Sequence, residues 1–167
     1  MPSPSVAAAP AAATHLPRVR LAIAADLEQI LDMGRSLHKE NGLMRLDDQL
    51  IKEMAESAIL DDEGVFGVIG SIGHLEGMIL LQLRRYWYSQ DCHLEELLNY
   101  VKPEYRKSRN AIALIEFAKS QSKRLGIPLL IGILSNKNTE QKMKLYQRRL
   151  GAPSGGYWIF NGKTGSH

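Results

Sequence analysis

The sequence predicts an α/β protein built on a mixed sheet with about four helices. Three observations carry this: three strand-like runs in succession between Gly64 and Val101, helical stripes before and after them, and short apolar segments near Val19 and Leu130. With 167 residues, 44% of them hydrophobic and 23% charged, the chain can bury one sizeable core.

Residues 1–17 are rich in Ala and Pro and lack the basic start and leucine-rich run of a signal peptide or membrane span, so they read as a disordered tail. Residues 18–167 then form a single domain. In RVRLAIA, Val19, Leu21 and Ile23 alternate with Arg18, Arg20 and Ala22, the period of a half-buried strand. Asp26 reads as a cap or first-turn acid, and Leu27, Ile30, Leu31 and Leu37 continue as a helical stripe to about His38. After the turn at Asn41-Gly42, Asp47 opens a second helix carrying Leu50, Ile51, Met54 and Ile59. GVFGVIGS and HLEGMILLQLRRYWYS form a hairpin across Ser71 to Gly73, and HLEELLNYV is a third strand closed by Pro103. Ala111, Leu114, Ile115, Ala118 and Leu125 mark a helix that Gly126 and Pro128 end. PLLIGIL is continuous enough for a strand covered on both faces, Thr139 to Leu150 is a last helix stopped by Gly151, and GYWIF is a final strand. The predicted order is β-α-α-β-β-β-α-β-α-β.

A net charge of +3 is modest for a nucleic-acid binder but suits a compact anionic ligand. The single cysteine, Cys92, excludes an intramolecular disulfide framework and a multi-cysteine zinc site, and His15, His38, His74, His93 and His167 show no paired metal-ligand spacing. The expectation is a cytoplasmic, metal-free protein.

The segment VKPEYRKSRNA joins an apolar run and a proline to the head of the helix at Asn110, with Arg106, Lys107 and Arg109 gathered there. A helix N-terminus offers unsatisfied N–H groups and partial positive charge, so the arrangement fits a diphosphate; a solvated basic turn is the plain alternative. In this segment and in its element order the chain resembles the GNAT superfamily of acetyl-CoA-dependent N-acetyltransferases. The pyrophosphate loop of that family reads Q/R-x-x-G-x-G/A after a strand ending in V-x-P-x-Y, and Val101, Pro103, Tyr105, Arg106 and Ala111 stand in register with it. The resemblance covers residues 18 to about 160. Arg109 replaces the first loop glycine, so the backbone there must avoid φ > 0 or accept strain.

The resemblance implies a mostly antiparallel mixed sheet splayed between its fourth and fifth strands. It implies acetyl-CoA as cosubstrate, held by the strand at Asn99, Tyr100 and Val101 and by the loop and helix start at Arg106, Lys107, Ser108, Arg109, Asn110, Ala111 and Ile112. NTEQKMKLYQRRLG is similar to a second family segment in which an Asn precedes a Tyr by seven residues; here Asn138 precedes Tyr146 by eight. The analogy makes Tyr146 the acid that meets the departing thiolate, an edge-of-helix core tyrosine being the alternative. Glu95, six residues before Val101, occupies the place of the base in the histone-acetylating branch; His93 or a water chain competes for that role. Glu95 and Glu96 are adjacent on a strand and so face opposite sides.

Arg35, His38, Glu40, Arg45, Asp47 and Asp48 form either an acceptor-binding loop or a solvated mixed-charge surface, and Tyr86, Trp87 and Tyr88 either an acceptor cleft or a homodimer contact. The expected activity is acetyl transfer from acetyl-CoA to a primary amine by direct attack. Two other readings use the same residues: a non-catalytic acyl-CoA sensor or partner domain of this fold, and an anion or nucleic-acid module built on the arginines. An aromatic content of 7% and the lack of a basic helix face argue against nucleic acid.

Overall fold

A computed structural model of the protein describes residues 15–60 and 63–160. In chain order the elements are β1 (Val19–Leu21), α1 (Leu27–Asn41), α2 (Asp48–Leu60), β2 (Gly64–Ser71), β3 (His74–Arg85), β4 (Cys92–Val101), α3 (Asn110–Leu125), β5 (Leu129–Leu130) and α4 (Thr139–Leu150), with 3-10 turns at Ala24–Asp26 and Pro103–Tyr105. The strands form one five-stranded sheet in the order β1-β2-β3-β4-β5. The pairings from β1 to β4 are antiparallel, and β4 with β5 is parallel.

β2 and β3 read as near-continuous apolar runs because both faces of the sheet are covered. On one face Phe66, Val68, Met78, Leu80 and Tyr100 pack with Ile30 and Met33 of α1 and Ala55 of α2. On the other, Ile69, Ile79, Leu81, Leu94 and Val101 pack with Ala113, Leu114 and Ala118 of α3. The β2–β3 turn needs Gly73 at φ 85°, and α3 ends on Gly126 at φ 67°, left-handed conformations that favour glycine.

Asp26 is more than a cap. It is fully buried and takes two hydrogen bonds of 2.7 Å from the Arg20 guanidinium, plus one of 2.9 Å from the Ile23 N–H. Those partners hold its carboxyl below the usual range, the Arg20 hydrogen bonds contributing most. The pair ties β1 to the entry of α1.

Two departures at the C-terminal side correct the predicted order. The expected strand PLLIGIL pairs only at Leu129 and Leu130, both half-buried, because β5 has β4 as its single partner and the chain leaves the sheet after Leu130. The expected strand GYWIF carries no regular structure: Tyr157, Trp158 and Phe160 are exposed, with the Tyr157 ring lying over Gly132. An alternating β pattern needs an edge to pair with, and β5 is too short to offer one. Of the tail expected at 1–17, residues 1–14 lie outside the described residues. Among the described residues no helix is long and apolar enough to cross a membrane.

Candidate active site

β4 positions the site through two irregularities. Its ladder with β5 consists of Leu94↔Leu129 and Glu95↔Leu130, whereas β4 itself continues to Val101. The two strands therefore part beyond Glu95, leaving one edge of β4 from Glu96 onward without a strand neighbour. The second irregularity is a bulge. Leu80 opposes Leu98 but Leu81 opposes Glu96, so Leu97 is an extra residue in the β3–β4 ladder.

The bulge decides which side chains meet. Glu96 and Asn99 are three residues apart, a spacing that sends them to opposite faces of a regular strand. With the extra residue between them they share the face of Leu94 and Val101. Both reach Tyr146 of α4: Asn99 Nδ2 donates to the Tyr146 hydroxyl at 3.2 Å, and that hydroxyl donates to Glu96 Oε2 at 3.3 Å. Burial pushes the Glu96 carboxyl up to about 8, opposed by the Tyr146 hydrogen bond and the charge of Lys142. Burial, then the Glu96 charge, pushes the Tyr146 phenol far above its usual range. The phenol is thus protonated at any working pH, while the carboxyl titrates near neutrality.

Glu95 points away from this group. It pairs with Arg84 Nε at 3.5 Å and approaches His93 Nε2 at 3.9 Å, on the face to which alternation sends it. His93 is buried against the Tyr86 ring, which stacks on Tyr88, while Trp87 is 93% exposed. Sequence reasoning passed over Glu96 because the choice between adjacent glutamates rests on the bulge, and nothing in LEELLN distinguishes a bulged strand from a regular one.

The loop after β4 is folded on itself. Tyr105 N–H donates to Lys102 O, Arg106 N–H to Pro103 O and Ser108 N–H to Tyr105 O. Ser108 Oγ donates to Tyr105 O and accepts from the Asn110 N–H. Asn110 is buried and its Nδ2 donates to Glu76 Oε2 at 2.8 Å, so its side chain anchors α3 to β3 and its backbone opens the helix. Arg109 sits at φ −91°, ψ 11°, and the arginine in the glycine position therefore imposes no positive φ. Lys107 is exposed, and Ala111 and Ile112 lie in the first turn of α3, whose N–H groups lack intrahelical acceptors. Tyr100 and Val101 are buried by their side chains. Asn138 caps α4 in the left-handed conformation, φ 56°, which Asn tolerates better than most residues.

Arg106 is committed elsewhere. Its Nη2 lies 2.7 Å from both carboxylate oxygens of Glu40 at the end of α1, and its Nε donates to Val101 O at 3.0 Å. Beside this pair a cleft of ≈ 560 Å³ is lined by Ser36, Lys39, Glu40, Tyr100, Pro103 and Lys137. Other loop residues from the acceptor-side group are tied down: Arg35 bridges Asp32 and Asp48, and the His38 ring meets Met44 O at 2.7 Å. Among the described residues no group of three or more His, Cys, Asp and Glu is placed to hold a metal.

No protein-family model matches the sequence. No curated protein matches it. Solved structures do. A possible acetyltransferase from Clostridium difficile 630 superposes with TM-score 0.67 at 18% identity, over 88% of this chain and 98% of that one. AAC(6')-Iy, in complex with the bisubstrate analogue CoA-S-monomethyl-acetylneamine, superposes with TM-score 0.68 at 15% identity, over 87% of this chain and 97% of its own. A predicted acetyltransferase with acetyl-CoA from Clostridium acetobutylicum gives 0.68 at 12% identity, over 87% and 96%. The protein has the GNAT acetyltransferase fold, the fold its sequence resembles.

Proposed function

We propose that the protein is an N-acetyltransferase that moves the acetyl group of acetyl-CoA to a primary amine by direct attack, residues 18–167 acting as one domain. The observation that carries this is the Asn99–Tyr146–Glu96 hydrogen-bonded chain at the place where β4 parts from β5. Acetyl-CoA would run along the unpaired edge of β4 at Asn99, Tyr100 and Val101, with its diphosphate at the turn and helix start formed by Arg106, Lys107, Ser108, Arg109, Asn110, Ala111 and Ile112. The conformation of Arg109 supports that placement, since the loop closes onto α3 without strain. Asn138, capping α4, would border the same space.

Attack by a neutral amine requires a group that removes its proton, and Glu96 fits that task better than Glu95. Glu95 faces away and pairs with Arg84, while Glu96 lies beside Tyr146 at the parted edge with its carboxyl pushed up to about 8. As the thioester opens, sulfur gains charge and accepts a hydrogen bond from the Tyr146 hydroxyl. Because that phenol is a weak acid, the proton taken up by Glu96 passes through the hydroxyl to sulfur in one concerted relay, with Asn99 Nδ2–H holding the oxygen in place. The cycle balances: one proton leaves the amine and one arrives on the thiol. Desolvation makes each of these hydrogen bonds count for more than it would in water.

Steady-state kinetics with acetyl-CoA and a panel of primary amines, read by release of the CoA thiol, test this. Tyr146→Phe should lower kcat by about 10²-fold with little change in acetyl-CoA affinity. Wild-type kcat should rise with pH to a plateau above about pH 8, a limb that Glu96→Gln removes along with most turnover. Full activity in Tyr146→Phe and an unchanged profile in Glu96→Gln would rule the scheme out.

A further inference from the structure

Arg106 is held as a ligand would be. Its guanidinium lies between the Glu40 carboxylate, at 2.7 Å from both oxygens, and the Tyr100 ring, whose centroid is 5.5 Å from Cζ. The Tyr100 hydroxyl also donates to Glu40 Oε1 at 3.3 Å. A carboxylate, an aromatic face and a hydroxyl converging on one point form a receptor for a cation. It is built from α1 and β4, elements distant in sequence, and is well enclosed: the Glu40 side chain is 16% exposed and Tyr100 4%. It opens onto the cleft that Ser36, Lys39, Pro103 and Lys137 complete.

We propose that Glu40 and Tyr100 are the seat for a positively charged group of the acceptor, an ammonium or guanidinium, and that Arg106 fills it as an internal substitute until the coenzyme diphosphate draws the guanidinium away. This rests on the acetyl-transfer reading. Arg106 meets Glu40 through Nη2 alone while its Nε holds Val101 O, and a diphosphate, which brings more charge than one carboxylate, competes for that guanidinium. Before that exchange a cationic acceptor would meet Lys39 and Lys137 in the cleft lining and the charge of Lys142, while the lining carboxylate, Glu40, is already paired. After it, the diphosphate offsets those cations and Glu40 is open. Binding is therefore ordered, coenzyme first, and neutral amines make poor acceptors.

The test is calorimetry on the full chain with CoA, which carries no acetyl group to transfer, and agmatine, which carries a guanidinium and a primary amine. Glu40→Gln should bind CoA about 5-fold or more tighter than wild type, and the gain should vanish in an Arg106→Ala background. Agmatine should bind wild type at least about 5-fold tighter with CoA saturating than without it, and lose this in Glu40→Gln. Should Glu40→Gln fold poorly, Glu40→Asp, which keeps the charge one methylene short, should show a smaller gain in the same direction. Equal or weaker CoA affinity in cooperatively folding variants, or agmatine binding indifferent to CoA, overturns the exchange. A wild type that binds no CoA overturns the acetyl-transfer reading itself, and this inference with it.

Discussion

Replacing Glu96 by glutamine should make the protein more stable than wild type at alkaline pH while changing little at acidic pH. The Glu96 carboxyl titrates near 4.5 when unfolded and at about 8 when folded, because it is desolvated beside Tyr146. Below pH 4.5 it is neutral in both states and its contribution is intact. Between the two values the unfolded chain releases a proton that the folded chain retains, so stability falls with rising pH, by up to about 1.4 kcal/mol per unit. Across the whole window the loss is on the order of 5 kcal/mol, Lys142 and the Tyr146 hydroxyl having already moderated the shift. Glutamine keeps the shape and never ionises, so it escapes that loss. Urea unfolding of both proteins at pH 5 and pH 8.5, followed by circular dichroism, reads the effect, since titrating groups that do not interact with Glu96 cancel in the difference and Lys142 and Tyr146 move with it. The free-energy difference should swing towards the variant by several kcal/mol between the two pH values. A difference that stays constant would mean that Glu96 is solvated, and its role as a base near neutrality would go with it.

Other predictions concern the frame. Asp26→Asn should destabilise by about 1–3 kcal/mol, because the buried carboxylate loses its charge-assisted 2.7 Å pair while Arg20, part-exposed, keeps its bond to Gly70 O, and denaturant unfolding at pH 7 measures it. In the wild type the same pair supports stability above the unfolded Asp value of 3.8, and that support is lost as pH falls through the lower folded value, so acid unfolding should steepen there and Asp26→Asn should abolish the step. Gly126→Ala should cost about 1–2 kcal/mol, since φ is 67° at the end of α3 and a Cβ is disfavoured there although space is open. A loss below a few tenths of that in denaturant midpoint would mean the turn adapts at no cost.

The helices and the strands from Val19 to Val101 were legible because their signals are local. Apolar stripes at helical spacing, Gly73 at the hairpin and Gly126 at a helix end each act within a few residues. The sequence-stretch GYWIF shows the limit: its alternation is real, but a strand needs a paired edge, and the two-residue β5 offers too little. The loop from Arg106 to Ile112 was found by its cations and its place before a helix. Its main partner was not, since Glu40 lies 66 residues away in the chain. The same holds for Glu96, whose meeting with Asn99 depends on one extra residue at Leu97 that shifts the β3–β4 register. Tyr146 was singled out from the segment NTEQKMKLYQRRLG, while both groups that receive and donate at its hydroxyl came only from the sheet.

The central claim is that this fold holds acetyl-CoA at the parted β4 edge. Its most direct test is the melting temperature with saturating acetyl-CoA, run beside ATP as an anion control. At a concentration near 100 times the dissociation constant, binding adds about 2.7 kcal/mol and should raise Tm by about 5–10 °C for a chain of this size. A rise with acetyl-CoA that ATP does not reproduce is the result expected. No rise, or an equal one with ATP, would contradict the account and leave the cations at Arg106, Lys107 and Arg109 as a general anion patch.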